Sequence, residues 1–249
     1  MFQKERLDNI LKYIQQNGYV TTKSLVENLH YSIASVNRDL NVLARQGYVK
    51  RSYGGVEFIE KRYTPYKFRQ RKKKEEKERV AKRAVEFIDD GDTIFITSST
   101  TTEYMIPYLI NKKNIHVITN NMYLACTLAE MNVKVTCLGG TVIESPYFLG
   151  GNDTVENVSK HGADKFFFST SSFSADGRIG TGPSWYNMYL AMKNNSNKTF
   201  YLTTSDKLTK KSDIRLFFHD FSKMDYIISD YEFSEELKKS CPNTEFIKA

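Results

Sequence analysis

Four residues near the amino terminus recur at helical spacing and have the chemistry of base recognition. They are Ala34, Arg38, Asn41 and Arg45. Val36, Leu40 and Leu43 fall on the opposite side of the same predicted helix, which Gly47 ends. The first face suits a DNA major groove, because Arg reads guanine there and Asn reads adenine. An amphipathic surface helix is the alternative for this segment taken alone.

The elements before this helix favour a helix-turn-helix. Apolar residues repeat at helical spacing ahead of Gly18, and Thr22 can cap a second, short helix. Only His30 and Tyr31 separate that helix from Ser32, the predicted N-cap of the next one. Two helices joined by so short a turn cross steeply, as they do in helix-turn-helix proteins.

A basic hairpin follows the predicted helices. Residues 48–53 and 56–59 are typical of two strands, with Gly54 and Gly55 forming the turn. The whole is a predicted winged helix in which Lys50 and Arg51 lie beside phosphates. The predicted DNA-binding residues are Ser32, Ala34, Ser35, Asn37, Arg38, Asn41, Arg45, Lys50, Arg51 and Tyr53. Any other three-helix bundle with a hairpin is the alternative.

Length and charge indicate a DNA-binding head on a separate body. The chain has 249 residues and a formal net charge of +7. Residues 59–83 hold twelve Lys and Arg against four Asp and Glu, whereas residues 84–249 hold sixteen against twenty. We predict a winged helix-turn-helix domain at 1–60, a basic linker at 61–74 and an effector-sensing domain at 75–249. Tyr63-Thr64-Pro65 marks the exit from the wing, since the residue before Pro avoids helix.

Several function classes are not expected. Cys126, Cys137 and Cys241 have no metal-ligand spacing, and we interpret them as buried or incidental thiols of a reducing compartment. The four histidines are scattered, so we expect neither a metal nor a cofactor. A signal-peptide core and a membrane-length apolar run are both lacking in this sequence. We therefore expect a cytoplasmic protein without membrane partners.

The predicted body alternates strands and helices. Strands are expected at 93–96, 115–118, 133–138, 165–168, 198–202 and 226–229, with helices such as 104–110 and 122–130 between them. A further helix from about Glu75 has Val80, Ala81, Ala84, Val85 and Ile88 on one face. Short apolar strands separated by helices imply an α/β fold whose mostly parallel sheet is covered on both faces.

Small and polar residues follow these strands, where ligands bind to open parallel sheets. The run from Thr97 to Thr102 leads into a helix, and its hydroxyl and N–H groups suit a phosphate or a carboxylate. The predicted effector-binding residues are Ser98, Ser99, Thr100, Thr101, Thr102, Asn120, Asn121, Gly139, Gly140 and Lys207. The run is not a P-loop, because no Gly-Lys-Ser/Thr follows a glycine-rich turn. Helix caps and turns are the alternative for these residues.

The chain resembles the DeoR-type bacterial transcriptional regulators over nearly its full length. In the head the resemblance lies in Ser32, Ser35, Val36, Arg38-Asp39-Leu40, Leu43, Gly47 and Tyr53-Gly54-Gly55. In the body it lies in Ala81, Ala84, Ile88, Asp90-Gly91-Asp92, Thr100-Thr101-Thr102, Thr119-Asn120, Leu138-Gly139-Gly140, Gly150, Ala163-Asp164-Lys165, Lys207 and Ile228-Ser229-Asp230. The order of these pieces, rather than any one of them, carries the resemblance.

The resemblance implies a repressor of carbohydrate-metabolism genes that binds a double-stranded DNA operator and forms a homo-oligomer, a dimer or tetramer. It implies a body that resembles sugar-phosphate isomerases and senses a phosphorylated sugar. Ser99 to Thr102 would hold the phosphate, and Asn120, Gly139, Gly140 and Lys207 would line the rest of the pocket.

The chain also departs from the family pattern. Asn37-Arg38 stands where two arginines are usual, and Thr97-Ser98-Ser99 stands where Asp-x-Gly is usual. An Asp is usual near Thr204 and a Ser at Asp206. Residues 183–188 hold neither the Glu nor the Lys usual after the fourth strand. An acid expected to hold sugar hydroxyls is therefore missing, and a changed or lost ligand is an alternative.

A phosphosugar isomerase is the competing enzyme hypothesis. Proton abstraction would need a carboxylate near the sugar. The strand ends offer Asp164, Asp176, Asp206 and Asp230, but no spacing singles out a base. An enzyme would also have no use for Arg38 on a recognition helix. We therefore predict a ligand-responsive DNA-binding regulator rather than an enzyme.

Overall fold

The chain divides into two units, Met1–Arg69 and Gln70–Ala249. The computed structural model describes residues 3–45, 48–58, 66–143 and 147–249. Gly47 and Tyr63-Thr64-Pro65, to which the sequence assigns a helix end and the exit from the wing, lie outside these residues. Within the predicted linker 61–74, residues Tyr66–Arg71 form a helix.

The first unit contains the predicted helices and hairpin. In chain order its elements are α1 (Gln3–Asn17), β1 (Tyr19–Thr21), α2 (Thr22–Leu29), α3 (Ile33–Arg45), β2 (Val49–Ser52), β3 (Gly55–Phe58) and α4 (Tyr66–Arg71), which crosses into the second unit. The N-cap of α2 is Thr21 rather than the predicted Thr22, because the Thr21 hydroxyl accepts the Ser24 N–H at 3.1 Å. His30 ends α2 in the left-handed region at φ 55°, which makes the tight turn into α3.

One apolar core holds the first unit together. The buried residues are Ile10, Leu11, Ile14, Val20, Leu25, Val36, Leu40, Leu43, Val49 and Val56. β1 is not predicted from the sequence, since three residues are too few to show a period. Its pairing with β3 makes the wing a three-stranded antiparallel sheet in the order β1-β3-β2.

A buried ion pair fixes the orientation of α3 against α1. Asp39 is 0% exposed, and its carboxylate accepts the Arg6 guanidinium at 2.5 and 3.3 Å. An ionised group at this depth is tolerated when it is paired and hydrogen-bonded. Asp39 therefore belongs to the packing of the unit and not to the exposed face of α3.

The second unit alternates strands and helices. The helices are α5 (Lys74–Val85), α6 (Ile106–Leu109), α7 (Met122–Glu130), α8 (Asn152–Val158), α9 (Pro183–Asn194) and α10 (Glu235–Ser240). The strands are β4 (Thr93–Ile96), β5 (His116–Thr119), β6 (Lys134–Cys137), β7 (Thr141–Val142), β8 (Leu149–Gly150), β9 (Ala163–Phe168), β10 (Ser172–Ser174), β11 (Arg178–Gly180), β12 (Ser196–Thr203), β13 (Leu208–Thr209), β14 (Phe217–Asp220), β15 (Tyr226–Ser229) and β16 (Glu245–Lys248).

Among the described residues, seven strands form one parallel sheet in the order β16-β15-β12-β9-β4-β5-β6. Six of them overlap the six predicted strands, so the expected α/β architecture with an N-terminal winged helix is confirmed. The seventh, β16, was not predicted. A smaller sheet, β13-β10-β11-β14, was also not predicted, because its strands have only two to four residues.

The sheet order places a switch point between β4 and β9. The strands that follow β4 in the chain, β5 and β6, lie on one side of it in the sheet. The strands that follow β9, which are β12, β15 and β16, extend in the other direction. The loops that leave β4 and β9 therefore diverge, and the crevice between them is where open α/β sheets bind ligands. Residues 97–102 and 169–171 form these two loops.

Side chains at the opposite end of the sheet have structural roles. Lys165 Nζ contacts Asp89 and Asp92 at 2.6 Å each, and Asp164 accepts the Thr93 N–H at 2.9 Å. The hydrogen bonds from Lys165 lower the pKa of Asp89. Asp164 is the second residue of β9, so it lies at the amino end of that strand and not at the carboxyl end, where ligands bind.

The structure describes the burial of the three cysteines and the length of the helices, which concern the expected thiols and the expected lack of a membrane span. All three cysteines are free; Cys241 is buried, while Cys126 and Cys137 are exposed rather than buried. Within the described ranges, none of the helices has the length and apolar character needed to cross a bilayer.

Candidate nucleic-acid interface and anion site

The exposed face of α3 carries the predicted base-reading residues. Ala34, Arg38, Asn41 and Arg45 are all exposed, while Val36, Leu40 and Leu43 are buried. Ser32 caps the helix, since its hydroxyl accepts the Ser35 N–H at 3.2 Å and donates to the Ser35 hydroxyl at 2.9 Å. These two hydroxyls therefore already stabilise the first turn of the helix.

The wing contacts α3 through Arg51. One terminal nitrogen of its guanidinium donates to Asn41 Oδ1 at 2.8 Å, and the other donates to Asn37 Oδ1 at 2.9 Å. Arg51, expected beside phosphates, is thus hydrogen-bonded to the recognition helix. Lys50 remains exposed on the same strand, and Tyr53 is fully exposed at the wing turn.

The loop after β4 is buried and lies at the switch point. Thr97, Thr101 and Thr102 are 0% exposed, and the Ser98 N–H donates to Asn120 Oδ1 at 2.8 Å. Among the described residues, the buried hydroxyls of Thr97 and Ser98 have no hydrogen-bond partner. Because buried polar groups are normally paired, these two hydroxyls indicate room for a polar ligand or water.

Two lysines donate to neighbouring hydroxyls of this loop. Lys207 Nζ contacts Thr101 Oγ1 at 3.0 Å and Ser169 Oγ at 2.6 Å, which joins the loops after β4 and β9. Lys77 Nζ contacts Thr100 Oγ1 at 3.3 Å, although Lys77 is only 2% exposed. Lys77 was not predicted from the sequence. Its position on the otherwise apolar inner face of α5, beside Val80 and Ala81, is the signal that could have identified it.

Ser99 occupies the backbone donors of the same loop. Its hydroxyl oxygen accepts the N–H groups of Thr101 at 3.0 Å and of Thr102 at 3.1 Å. The Thr102 hydroxyl donates to the Thr97 carbonyl at 2.7 Å. The helix after this loop is short, with a 3-10 turn at Thr102–Met105 that continues into α6. The Ser99 hydroxyl therefore satisfies the N–H groups of Thr101 and Thr102, and the loop offers mainly hydroxyls and the two lysines.

The asparagines at the end of β5 brace the loop. Asn120 Nδ2 donates to the Leu149 carbonyl at 2.7 Å, while its oxygen holds Ser98. Asn121 Oδ1 caps α7 at 3.2 Å, and its Nδ2 donates to Glu103 at 2.7 Å. Both carboxamides are buried, so their contacts in this structure are internal. Glu103, a buried acid that sequence reasoning missed, is the partner that accounts for Asn121.

Gly139 and Gly140 allow a close approach of α8. Gly140 has φ +146°, and a Cβ there would lie 2.0 Å from Thr154 Oγ1. The Thr154 hydroxyl donates to the Gly139 carbonyl at 2.7 Å. This contact explains the need for glycine at 140 without a ligand.

The three remaining candidate acids, Asp176, Asp206 and Asp230, each have a hydrogen-bond or ion-pair partner. Burial alone would raise the pKa of Asp206, but hydrogen bonds from Thr204 and Lys72 outweigh it and lower that pKa. Asp230 accepts the N–H and hydroxyl of Ser205 at 2.7 and 2.8 Å. Asp176 lies in the β10–β11 turn and contacts Lys211 at 2.6 Å. An acid held at low pKa by a lysine is a weak general base, which agrees with a binding rather than a catalytic role.

Two family models match the two units. The DeoR-like helix-turn-helix domain matches residues 6–62, and the DeoR C terminal sensor domain matches residues 72–231. The chain belongs to the DeoR family of DNA-binding transcriptional regulators. Within the described residues, no cluster of His, Cys, Asp and Glu could hold a metal ion.

Curated relatives are named as regulators. The glycerol-3-phosphate regulon repressor of Escherichia coli is 33% identical over 72% of this chain and 72% of the relative. The HTH-type transcriptional regulator IolR of Bacillus subtilis is 26% identical over 95% of this chain and 94% of its own. The lactose phosphotransferase system repressor of Streptococcus mutans is 28% identical over 99% of this chain and 100% of its own. These names confirm that the chain is a regulator and not an enzyme.

Solved structures give distant likenesses to part of this chain. Ribose 5-phosphate isomerase from Plasmodium falciparum matches with 15% identity and a TM-score of 0.40 over 54% of this chain and 52% of the isomerase. The delta subunit of eIF2B from Chaetomium thermophilum matches with 20% identity and a TM-score of 0.45 over 64% and 57% of the two chains. The chain spans a little over half the length of these two structures.

Proposed function

We propose that this regulator is a repressor of carbohydrate-metabolism genes whose operator affinity is changed by a phosphorylated sugar. The exposed face of α3 enters the major groove, with Arg38 as the main base-reading cation and Asn41 and Arg45 beside it. Lys50 and Tyr53 of the wing contact the backbone. The phosphate of the sugar binds at the switch point, where the Thr100 hydroxyl contacts Lys77 and the Thr101 hydroxyl contacts Lys207.

One observation carries the phosphate part of the proposal. Adjacent threonines of a single loop each accept a hydrogen bond from a different lysine, Thr100 from Lys77 and Thr101 from Lys207. Two ammonium groups directed at neighbouring positions favour an anion there, because charge-assisted hydrogen bonds are the strong ones. The unpartnered hydroxyls of Thr97 and Ser98 add donors for further oxygens of the ligand.

The sugar part of the proposal is supported by the names of the relatives. One is a repressor of a glycerol-3-phosphate regulon and another of a lactose phosphotransferase system. Both names join a sugar or a polyol to phosphate chemistry, which is the class of ligand proposed here. We further propose that the protein acts in the cytoplasm, where its operator lies, as a homo-oligomer on repeated half-sites.

An effector can release DNA only by binding the two conformations of the regulator with different affinity. The test is therefore operator binding by the full chain, with duplex selected from a random pool and sugar phosphates titrated into the complex. We expect release by a phosphorylated compound and not by its unphosphorylated form. Thr101→Ala should blunt release and leave DNA affinity unchanged, and Thr100→Ala should do the same.

Lys210→Ala is the matched control for this experiment, because Lys210 is exposed and only three residues from Lys207. Equal release of the parent and both threonine variants would contradict a phosphate site at this loop. Operator affinity should also fall steeply between low and moderate salt, since phosphate contacts release counterions. A flat salt response would contradict the groove-binding part.

A regulator that responds to no small ligand is the second candidate. It is favoured by Ser99, whose hydroxyl takes the place that an anion oxygen would have on the N–H groups of Thr101 and Thr102. In this case no sugar phosphate would raise the melting temperature of the full chain, whereas a bound ligand stabilises the folded state by mass action.

A further inference from the structure

Asn37 and Asn41 lie one turn apart on α3, and Arg51 contacts both of them. The fork of Arg51 spans the two side chains and donates to each amide oxygen, at 2.9 Å to Asn37 and 2.8 Å to Asn41. A third contact, to the Asn37 carbonyl at 3.4 Å, holds the guanidinium against the helix backbone. The wing thus fixes the orientation of two carboxamides on the recognition helix.

The donors and acceptors of the amide group determine what these asparagines can offer to DNA. A carboxamide has an acceptor at its oxygen and two donors at its nitrogen, whereas a guanidinium has donors only. The oxygen must therefore face Arg51, and Nδ2 is directed away from it. Among the residues that the structure describes, Nδ2 of neither asparagine has a hydrogen-bond partner.

We propose that Arg51 turns the amide oxygens of Asn37 and Asn41 away from DNA and leaves their Nδ2 groups as the donors that read it, so that the protein selects keto bases at the positions they face. Asparagine normally recognises adenine by accepting from N6 and donating to N7, which needs the oxygen to face the base, whereas here it faces Arg51. Guanine offers O6 and N7 as acceptors, and thymine offers O4. Adenine has one acceptor, N7, beside its N6 amino group, and cytosine presents only an amino group, so both offer Nδ2 fewer acceptors than guanine does.

This inference rests on the proposed groove binding by α3 and adds to it a base preference and the residue that sets it. Arg51 acts through the two asparagines, so it is a positioning residue for readout. Arg38 lies elsewhere on the exposed face and has no side-chain hydrogen bond to another described residue. The inference therefore concerns only the positions that face the asparagines.

The test selects duplexes from a random pool with the full chain and with single variants. Asn37→Ala and Asn41→Ala identify the base positions at which preference flattens. At those positions the parent should prefer guanine or thymine over adenine or cytosine by about fivefold or more, the lower end of discrimination by one good side-chain contact. Arg51→Lys should reduce this preference and admit adenine, because lysine keeps the charge but cannot fork to both amides.

Lys50→Ala is the matched control, since it removes a cation from the same strand and no contact to Asn37 or Asn41. It should weaken binding to all sequences equally and leave the keto preference intact. Unchanged melting temperatures would show that the variants fold. A preference for adenine in the parent, an unchanged preference in Arg51→Lys, or no flattening in either asparagine variant would overturn the inference. A pool with no enriched sequence for the parent would overturn the proposed groove binding and this inference together.

Discussion

Lys207 Nζ lies 3.0 Å from Thr101 Oγ1, although the two residues are 106 positions apart in the chain. Thr101 belongs to the loop after β4, and Lys207 follows β12, the strand on the far side of β9. The contact therefore crosses the switch point of the sheet. A ligand held between them would connect both directions of the sheet, which is the position from which binding can alter the whole unit.

Lys77→Met should weaken sugar-phosphate binding by about tenfold or more, because it removes a charged hydrogen-bond donor and keeps the length of the aliphatic stem. Operator affinity without effector should stay unchanged. Lys82→Met is the control, since Lys82 is exposed on the same helix. Isothermal titration of the full chain measures the effect. Equal affinities of the parent and Lys77→Met would contradict the role of Lys77.

Ser99→Ala should strengthen anion binding several-fold, roughly the value of one or two hydrogen bonds. The change leaves the N–H groups of Thr101 and Thr102 without their present acceptor, so that a phosphate oxygen can take that place. Inorganic phosphate and a sugar phosphate should both bind more tightly, as measured by titration. Ser171→Ala, in the exposed part of the loop after β9, serves as the control. Weaker binding by Ser99→Ala would show that the Ser99 hydroxyl contacts the ligand instead.

Arg38→Ala should weaken operator binding by about 1–3 kcal/mol through the loss of a base contact. The loss should be larger for the selected operator than for unrelated DNA, since a base contact carries sequence information and a phosphate contact does not. Fluorescence anisotropy with both duplexes measures the two affinities. Lys223→Ala, which removes an exposed cation from the second unit, provides the comparison. An equal loss on both duplexes would show that Arg38 contacts the phosphate backbone of the DNA and not a base.

The stability of the second unit should fall as the pH drops below about 6.5, the usual pKa of histidine. Burial lowers the pKa of His116, and the nearby charges of Lys134 and His161 lower it further. The unfolded chain therefore takes up the proton first, and this favours unfolding. Above that pH the His116 imidazole is neutral in both the folded and the unfolded chain, so the free energy of unfolding has its full value.

His116→Gln should show a smaller loss of stability between pH 7 and pH 5 than the parent shows. Glutamine can keep the hydrogen bond that His116 Nε2 shares with Thr136 at 2.8 Å. Urea unfolding of the full chain at several pH values gives the comparison. If parent and variant lose stability in parallel over this range, His116 does not contribute to the pH dependence.

The sequence by itself was sufficient for the two-part architecture and for the regulatory class. Helical spacing separated the buried stripe of α3, with Val36 and Leu40, from its exposed face, with Arg38 and Asn41. Six of the seven strands of the main sheet were predicted, because buried parallel strands are continuous apolar runs. Each of these signals is local, since it depends on residues within one element.

Only the tertiary structure decided which side chains act together. The pairing of Arg6 with Asp39, of Arg51 with Asn37 and Asn41, and of Lys77 with Thr100 depends on how separate elements pack. The spacing of residues along the chain does not show which side chains of separate elements come into contact. For the same reason the sequence could predict Asn120, Asn121 and Gly140 as ligand contacts but could not predict the neighbours in space that they contact in the structure.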